Sequence, residues 1–142
     1  MGEAKEPANK WVGSGSSSAW VQVVQSDDID DYARAQGGWA LGYEQLSSGR
    51  FEGRFTFVQL PGLRVFNESA NVVLRQRGRL GDDIYGFAMS LVPAEEVYFH
   101  GRKVPAHAVM CGRGNDIDLL TPAGHQLISV AVERALLDGS LD

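Results

Sequence analysis

The stretch Arg50-Phe51-Glu52-Gly53-Arg54-Phe55-Thr56-Phe57 decides the fold. Successive side chains of an extended chain point to opposite sides. Phe51, Gly53, Phe55 and Phe57 therefore share one face, and Arg50, Glu52, Arg54 and Thr56 share the other. One apolar face and one charged face are what an antiparallel sheet presents when only one side meets a core. A second run divides the same way. Tyr85, Phe87, Met89 and Leu91 oppose Ile84, Gly86, Ala88 and Ser90, and the aromatic, odd-numbered set is read as the inner one.

Outward from these two runs the pattern repeats in short pieces. Trp39 to Leu46, Arg50 to Leu60, Leu63 to Asn67, Ala70 to Gln76 and Ile84 to Leu91 all read as strands. So do Val97 to Phe99, His107 to Cys111, Ile117 to Leu120 and Gln126 to Val132. Ser-Ser-Gly, Pro-Gly, Gly-Asp-Asp and Pro-Ala-Gly stand between them, and these are turn formers. The expected class is mainly β: an antiparallel barrel or sandwich with one inner face. Ser26-Asp27-Asp28 reads as an N-cap followed by first-turn acids, which predicts a short helix from Asp27 to Gln36, stopped by Gly37-Gly38. Glu133 to Leu137 has high helix propensity and predicts the start of a C-terminal helix. Residues 1–18 run into a Gly/Ser stretch and read as a flexible arm, leaving 19–142 as one domain.

Composition narrows the function. The chain has 142 residues, 44% of them hydrophobic, and a net charge of −5. That charge argues against a grip on nucleic acid, which depends on Lys and Arg neutralising phosphates. Cys111 is the single cysteine, so neither a disulfide framework nor a cysteine zinc site is expected. No apolar stretch approaches the ~20 residues that span a bilayer, and the start of the chain lacks a signal-peptide pattern. The expectation is a cytoplasmic protein without a membrane partner.

Motifs for catalysis are few. A mononuclear metal site needs about three convergent ligands, often with a His pair on one strand. His100, His107 and His125 are scattered, with no His-x-His, and read as surface or hydrogen-bonded histidines. No metal, cofactor or catalytic residue is expected. Phosphate-loop and nucleophile-elbow motifs are missing. Asp116 and Asp118 share a strand face opposite Ile117 and Leu119 and read as a solvated outer edge. Arg75 and Arg77 form a positive stripe that serves either to hold an acid or to keep a strand edge from aggregating. The aromatic set Trp39, Tyr43, Phe55, Phe57, Tyr85 and Phe87 is expected inside, where side chains either fill a small barrel or leave room for one ligand. Tyr43, Tyr85 and Gln45 would then be the polar groups of that interior.

The run Tyr43-Glu44-Gln45-Leu46-Ser47-Ser48-Gly49-Arg50-Phe51-Glu52-Gly53-Arg54 resembles the N-terminal half of one branch of the AraC-type transcriptional regulators. Leu63 to Ser69, Asn71 to Gly78, Phe99 to Arg102 and Leu120 to Gly124 are similar to later segments of that half, in the same order. The resemblance spans about Ser26 to Val132. It implies a cupin-like barrel or jelly roll that senses a small-molecule effector, forms a homodimer, or does both. Trp39, Tyr43, Phe55, Phe57, Arg75, Tyr85 and Phe87 would line its ligand site. Members carry about a hundred further residues with two helix-turn-helix units. The expectation is therefore a fragment that reaches DNA only through a domain outside this sequence. The competing class is a small cupin-like isomerase or oxygenase, against which the missing His pair weighs.

Overall fold

The computed structural model describes residues 19–36, 40–91, 96–113 and 116–141. The arm over 1–18, Gly37, Gly38 and Trp39 lie outside the described residues. The mainly β expectation holds, with every paired strand antiparallel.

The chain opens with β1 (Trp20–Ser26), to which the sequence reading assigns no strand, followed by helix α1 (Ile29–Ala35). Next come β2 (Ala40–Gln45), β3 (Gly53–Leu60), β4 (Leu63–Ala70), β5 (Leu74–Arg79) and β6 (Ile84–Ser90). The short strands β7 (Tyr98–Phe99), β8 (Arg102–Lys103) and β9 (Met110–Arg113) precede β10 (Ile117–Thr121), β11 (His125–Glu133) and helix α2 (Arg134–Leu141). One sheet has the order β1-β3-β4-β11-β6-β9 and the other β2-β5-β10-β7-β8. A closed barrel is not found among the described residues: the strands divide into these two sheets, whose inner faces pack together.

Alternation in β3 is as the sequence predicts. Phe55 and Phe57 are buried at 1% exposure, and Arg54 between Gly53 and Phe55 is exposed. Phe57 faces Phe66 across the β3–β4 pairing, and both belong to a core with Tyr32, Phe51, Ala70, Val72 and Leu74. Tyr32 brings α1 onto this core. Its ring meets Tyr43, Phe51 and Phe55 edge-on, with centroids 5.4, 5.3 and 5.4 Å away. Gly53 makes room for it, since a Cβ there would lie 2.5 Å from Phe51 Cζ and 2.8 Å from Tyr32 Cε2.

Capping differs by two residues from the expectation. Asp28, not Ser26, is the N-cap of α1, and its Oδ1 accepts from the amides of Asp30 and Asp31 at 2.8 and 3.1 Å. Ser26 ends β1 and its Oγ accepts from the Asp28 amide at 3.1 Å, fixing the corner between strand and helix.

The reading of β6 is corrected by its neighbours. Leu127 and Ala131 of β11 are buried, and they pair with Ser90 and Gly86. Paired residues share a face, so Gly86, Ala88 and Ser90 turn inward and Tyr85, Phe87 and Met89 turn to the other side. All seven residues of β6 are half-buried, so exposure along the strand gives no alternation.

Candidate functional site

Small residues at inward positions leave space between the sheets. Gly86 and Ala88 of β6, Gly112 of β9, and Ser129 and Ala131 of β11 border a cavity of about 90 Å³, partly open to solvent. Larger apolar residues close it: Leu41 from β2, Phe66 from β4, Phe99 from β7, Met110 from β9, Leu119 from β10 and Leu127 from β11. This division of labour between small and large residues is what a pocket requires, because a close-packed interior holds few voids.

A polar cluster lies along the wall. Glu68 sits on the inner face of β4 at 6% exposure, Gln76 on β5 at 5%, and Gln36 at the C-cap of α1 at 4%. Gln36 Nε2 donates to Glu68 Oε2 at 2.8 Å, and Gln76 Nε2 donates to Glu68 Oε1 at 2.6 Å. Tyr43 Oη stands 2.6 Å from Gln36 Oε1 and 3.0 Å from Glu68 Oε2, so its one proton serves both acceptors. Elements from both sheets and from α1 thus converge on one carboxylate. Buried polar groups are costly unless partnered, and here the partners of Glu68 come from three other elements, α1, β2 and β5.

Burial, and next the Glu68 carboxylate, push the Tyr43 and Tyr32 hydroxyls far above the usual phenol value of 10.0. A raised folded-state value favours folding below pH 10.0. That contribution is lost as pH rises, because the unfolded chain then releases protons that the fold retains. In an ultraviolet titration, Tyr32 and Tyr43 are expected to stay protonated until the chain unfolds in alkali. Ordinary ionisation of all 4 tyrosines in the folded protein would contradict this arrangement.

Of the residues expected to line a ligand site, Tyr43 and Phe87 border the cavity. Phe87 does so as part of the strand between Gly86 and Ala88, with its side chain on the opposite side by register. Phe55 and Phe57 lie in the adjoining core, where Phe57 meets Trp20 at 5.0 Å and Phe66 at 5.9 Å between ring centroids. Tyr85 pairs with Val132 and Arg113 and shares the face of Phe87. Trp39 is outside the described residues.

Arg75 faces away from the interior. Its neighbours Leu74 and Gln76 are buried, and its Nε and Nη2 donate to Asp118 Oδ1 and Oδ2 at 3.2 and 3.1 Å. Asp118 is held below the usual carboxylate range, chiefly by that hydrogen bond. Gln45 shares the face of Tyr43 but does not border the cavity, donating instead to the carbonyls of Ser47 and Gly49 at 2.8 Å each.

Local sequence does not mark Glu68, Gln76 or Gln36 as members of a site. In sequence Glu68 is a charged residue beside Asn67, and only its alternation with Phe66 and Arg64 hinted at an inward position. Arg64 is a second buried charge on the same face. Its Nε donates to Gln59 Oε1 at 2.6 Å, its guanidinium lies 5.0 Å from the Phe57 centroid, and burial pulls its pKa down to about 10.

The histidines do not converge. His100 and His107 are exposed with φ of 50° and 64°, and His125 is buried with Nδ1 2.9 Å from the Pro122 carbonyl oxygen. Among the described residues no three His, Cys, Asp or Glu side chains group as metal ligands, and no helix is long and apolar enough to cross a membrane. No protein-family model matches the chain.

Proposed function

We propose that this chain is a sensing domain that binds a small molecule between its two sheets, without catalysis. The observation that carries this reading is the pairing of an apolar cavity with a buried, pre-organised polar cluster at Tyr43, Gln36, Glu68 and Gln76. Ligand pockets are mostly apolar, with a few fixed polar groups that set orientation. The two facing antiparallel sheets suit a cupin-like jelly roll, as the resemblance to AraC-type regulators implies. On that reading the domain is cytoplasmic, responds to an effector, pairs with a second copy, and reaches DNA through a domain outside this sequence.

A thermal-shift panel of small neutral, acidic and basic compounds tests the binding. At least one compound is expected to raise the Tm of the wild type. At a hundredfold excess over Kd the gain corresponds to about 2.7 kcal/mol. Ala88→Leu places a larger side chain at an inward position of the cavity and is expected to abolish the shift. If nothing in the panel stabilises the wild type, or if Ala88→Leu responds equally, the cavity is not the binding site.

A further inference from the structure

We infer that the occupant of this cavity is a small amine with an apolar body, its ammonium group meeting Glu68. The inference rests on the cavity being a binding site and adds the chemical class of what it binds.

Glu68 borders the cavity and is largely cut off from water. The groups hydrogen-bonded to its carboxylate are all neutral: Gln36 Nε2, Tyr43 Oη and Gln76 Nε2. Such donors supply hydrogen bonds to the carboxylate but no opposite charge. An ionised carboxylate offers about four lone-pair positions. Oε2 takes two of the donors and Oε1 takes one, and the buried Tyr32 hydroxyl beside the carboxylate is a further neutral group.

Among the described residues, no Lys, Arg or His forms an ion pair with Glu68. Arg75, the cation that the sequence offered for an acidic ligand, is engaged with Asp118 on the outer face. A buried charge is costly without an opposite charge beside it, and the attraction between such charges strengthens as water is excluded. A cation fits that requirement, a neutral donor adds one hydrogen bond only, and an anion is repelled. Leu41, Phe99, Met110, Leu119 and Leu127 give the rest of the molecule an apolar enclosure.

An NMR titration of the full chain with n-pentylamine, n-pentanol and n-pentanoate at neutral pH separates these cases, because the three share one tail. Pentylamine is expected to bind at least about tenfold more tightly than pentanol, with pentanoate weakest. Glu68→Gln is expected to bring pentylamine down to the level of pentanol. The ranking in the wild type decides the question even if Glu68→Gln fails to fold. If pentanol or pentanoate equals or exceeds pentylamine, and Ala88→Leu still removes binding, the cavity stands as a site and the cationic assignment falls. If no probe binds in the cavity, both fall together.

Discussion

Replacing Gly78 by alanine is expected to cost at least about 3 kcal/mol and to detach β2 from its sheet. Gly78 has φ of +142°, a conformation that side-chain-bearing residues rarely adopt, and an added Cβ would lie 2.0 Å from the Ala40 carbonyl oxygen. That neighbour is backbone, so relief requires moving the strand rather than a side chain. Gly78 pairs with Leu41 on one side and Ile117 on the other, so the disturbance falls beside the cavity. Gly124→Ala is the matched control. Its φ is +75° and nothing lies within 4 Å of the added atom, so only the backbone penalty of roughly 1–2 kcal/mol applies. Chemical denaturation of the two variants measures the difference. Equal losses would show that the close approach of β2 to β5 is not tight.

Phe57→Ala is expected to cost about 3–5 kcal/mol, with little local recovery. Phe57 is 1% exposed and touches Trp20, Phe55 and Phe66, which belong to three different strands. It also lies under the guanidinium of Arg64, so its loss removes a favourable face from a buried charge. Tyr85→Ala, on the other face by register, is expected to cost less. A loss at Tyr85 matching that at Phe57 would mean that the inner face of β6 has been assigned wrongly.

The contrast between β3 and β6 shows what the sequence could reveal. In β3, charged and aromatic residues alternate, and a slip of one position would bury Arg54, so local pattern determines the inner face. In β6 both sets are apolar or small. Aromatic residues look like core, but the inner face is set by pairing with β11 and β9 at long sequence separation. β1 was illegible for a related reason. It turns Val21 and Val23 outward at 64% and 56% exposure, while Gln22 faces inward opposite Phe57, the reverse of the usual pattern.

The candidate site was half legible. The pattern marks Tyr43 as an interior polar group, but it leaves Arg75 with two uses, holding an acid or guarding a strand edge, and the pairing with Asp118 on the outer face decides against the first. Glu68 was not found, because an isolated carboxylate in a strand ordinarily marks the solvent side. Its partners Gln36 and Tyr43 stand 32 and 25 residues away, brought together only when α1 and the two sheets meet. Chemistry that depends on such convergence leaves little trace in local spacing.

The most direct test of the space between the sheets is where a bound molecule makes contact. Intermolecular nuclear Overhauser effects are to be recorded between the most stabilising compound of the panel and the methyl groups of the folded chain. Contacts to Met110, Leu119, Leu127 and Ala88 are the predicted result, and they should vanish in Ala88→Leu. Contacts confined to Val21 and Val23 on the outer face of β1, with none to the cavity, would contradict the account.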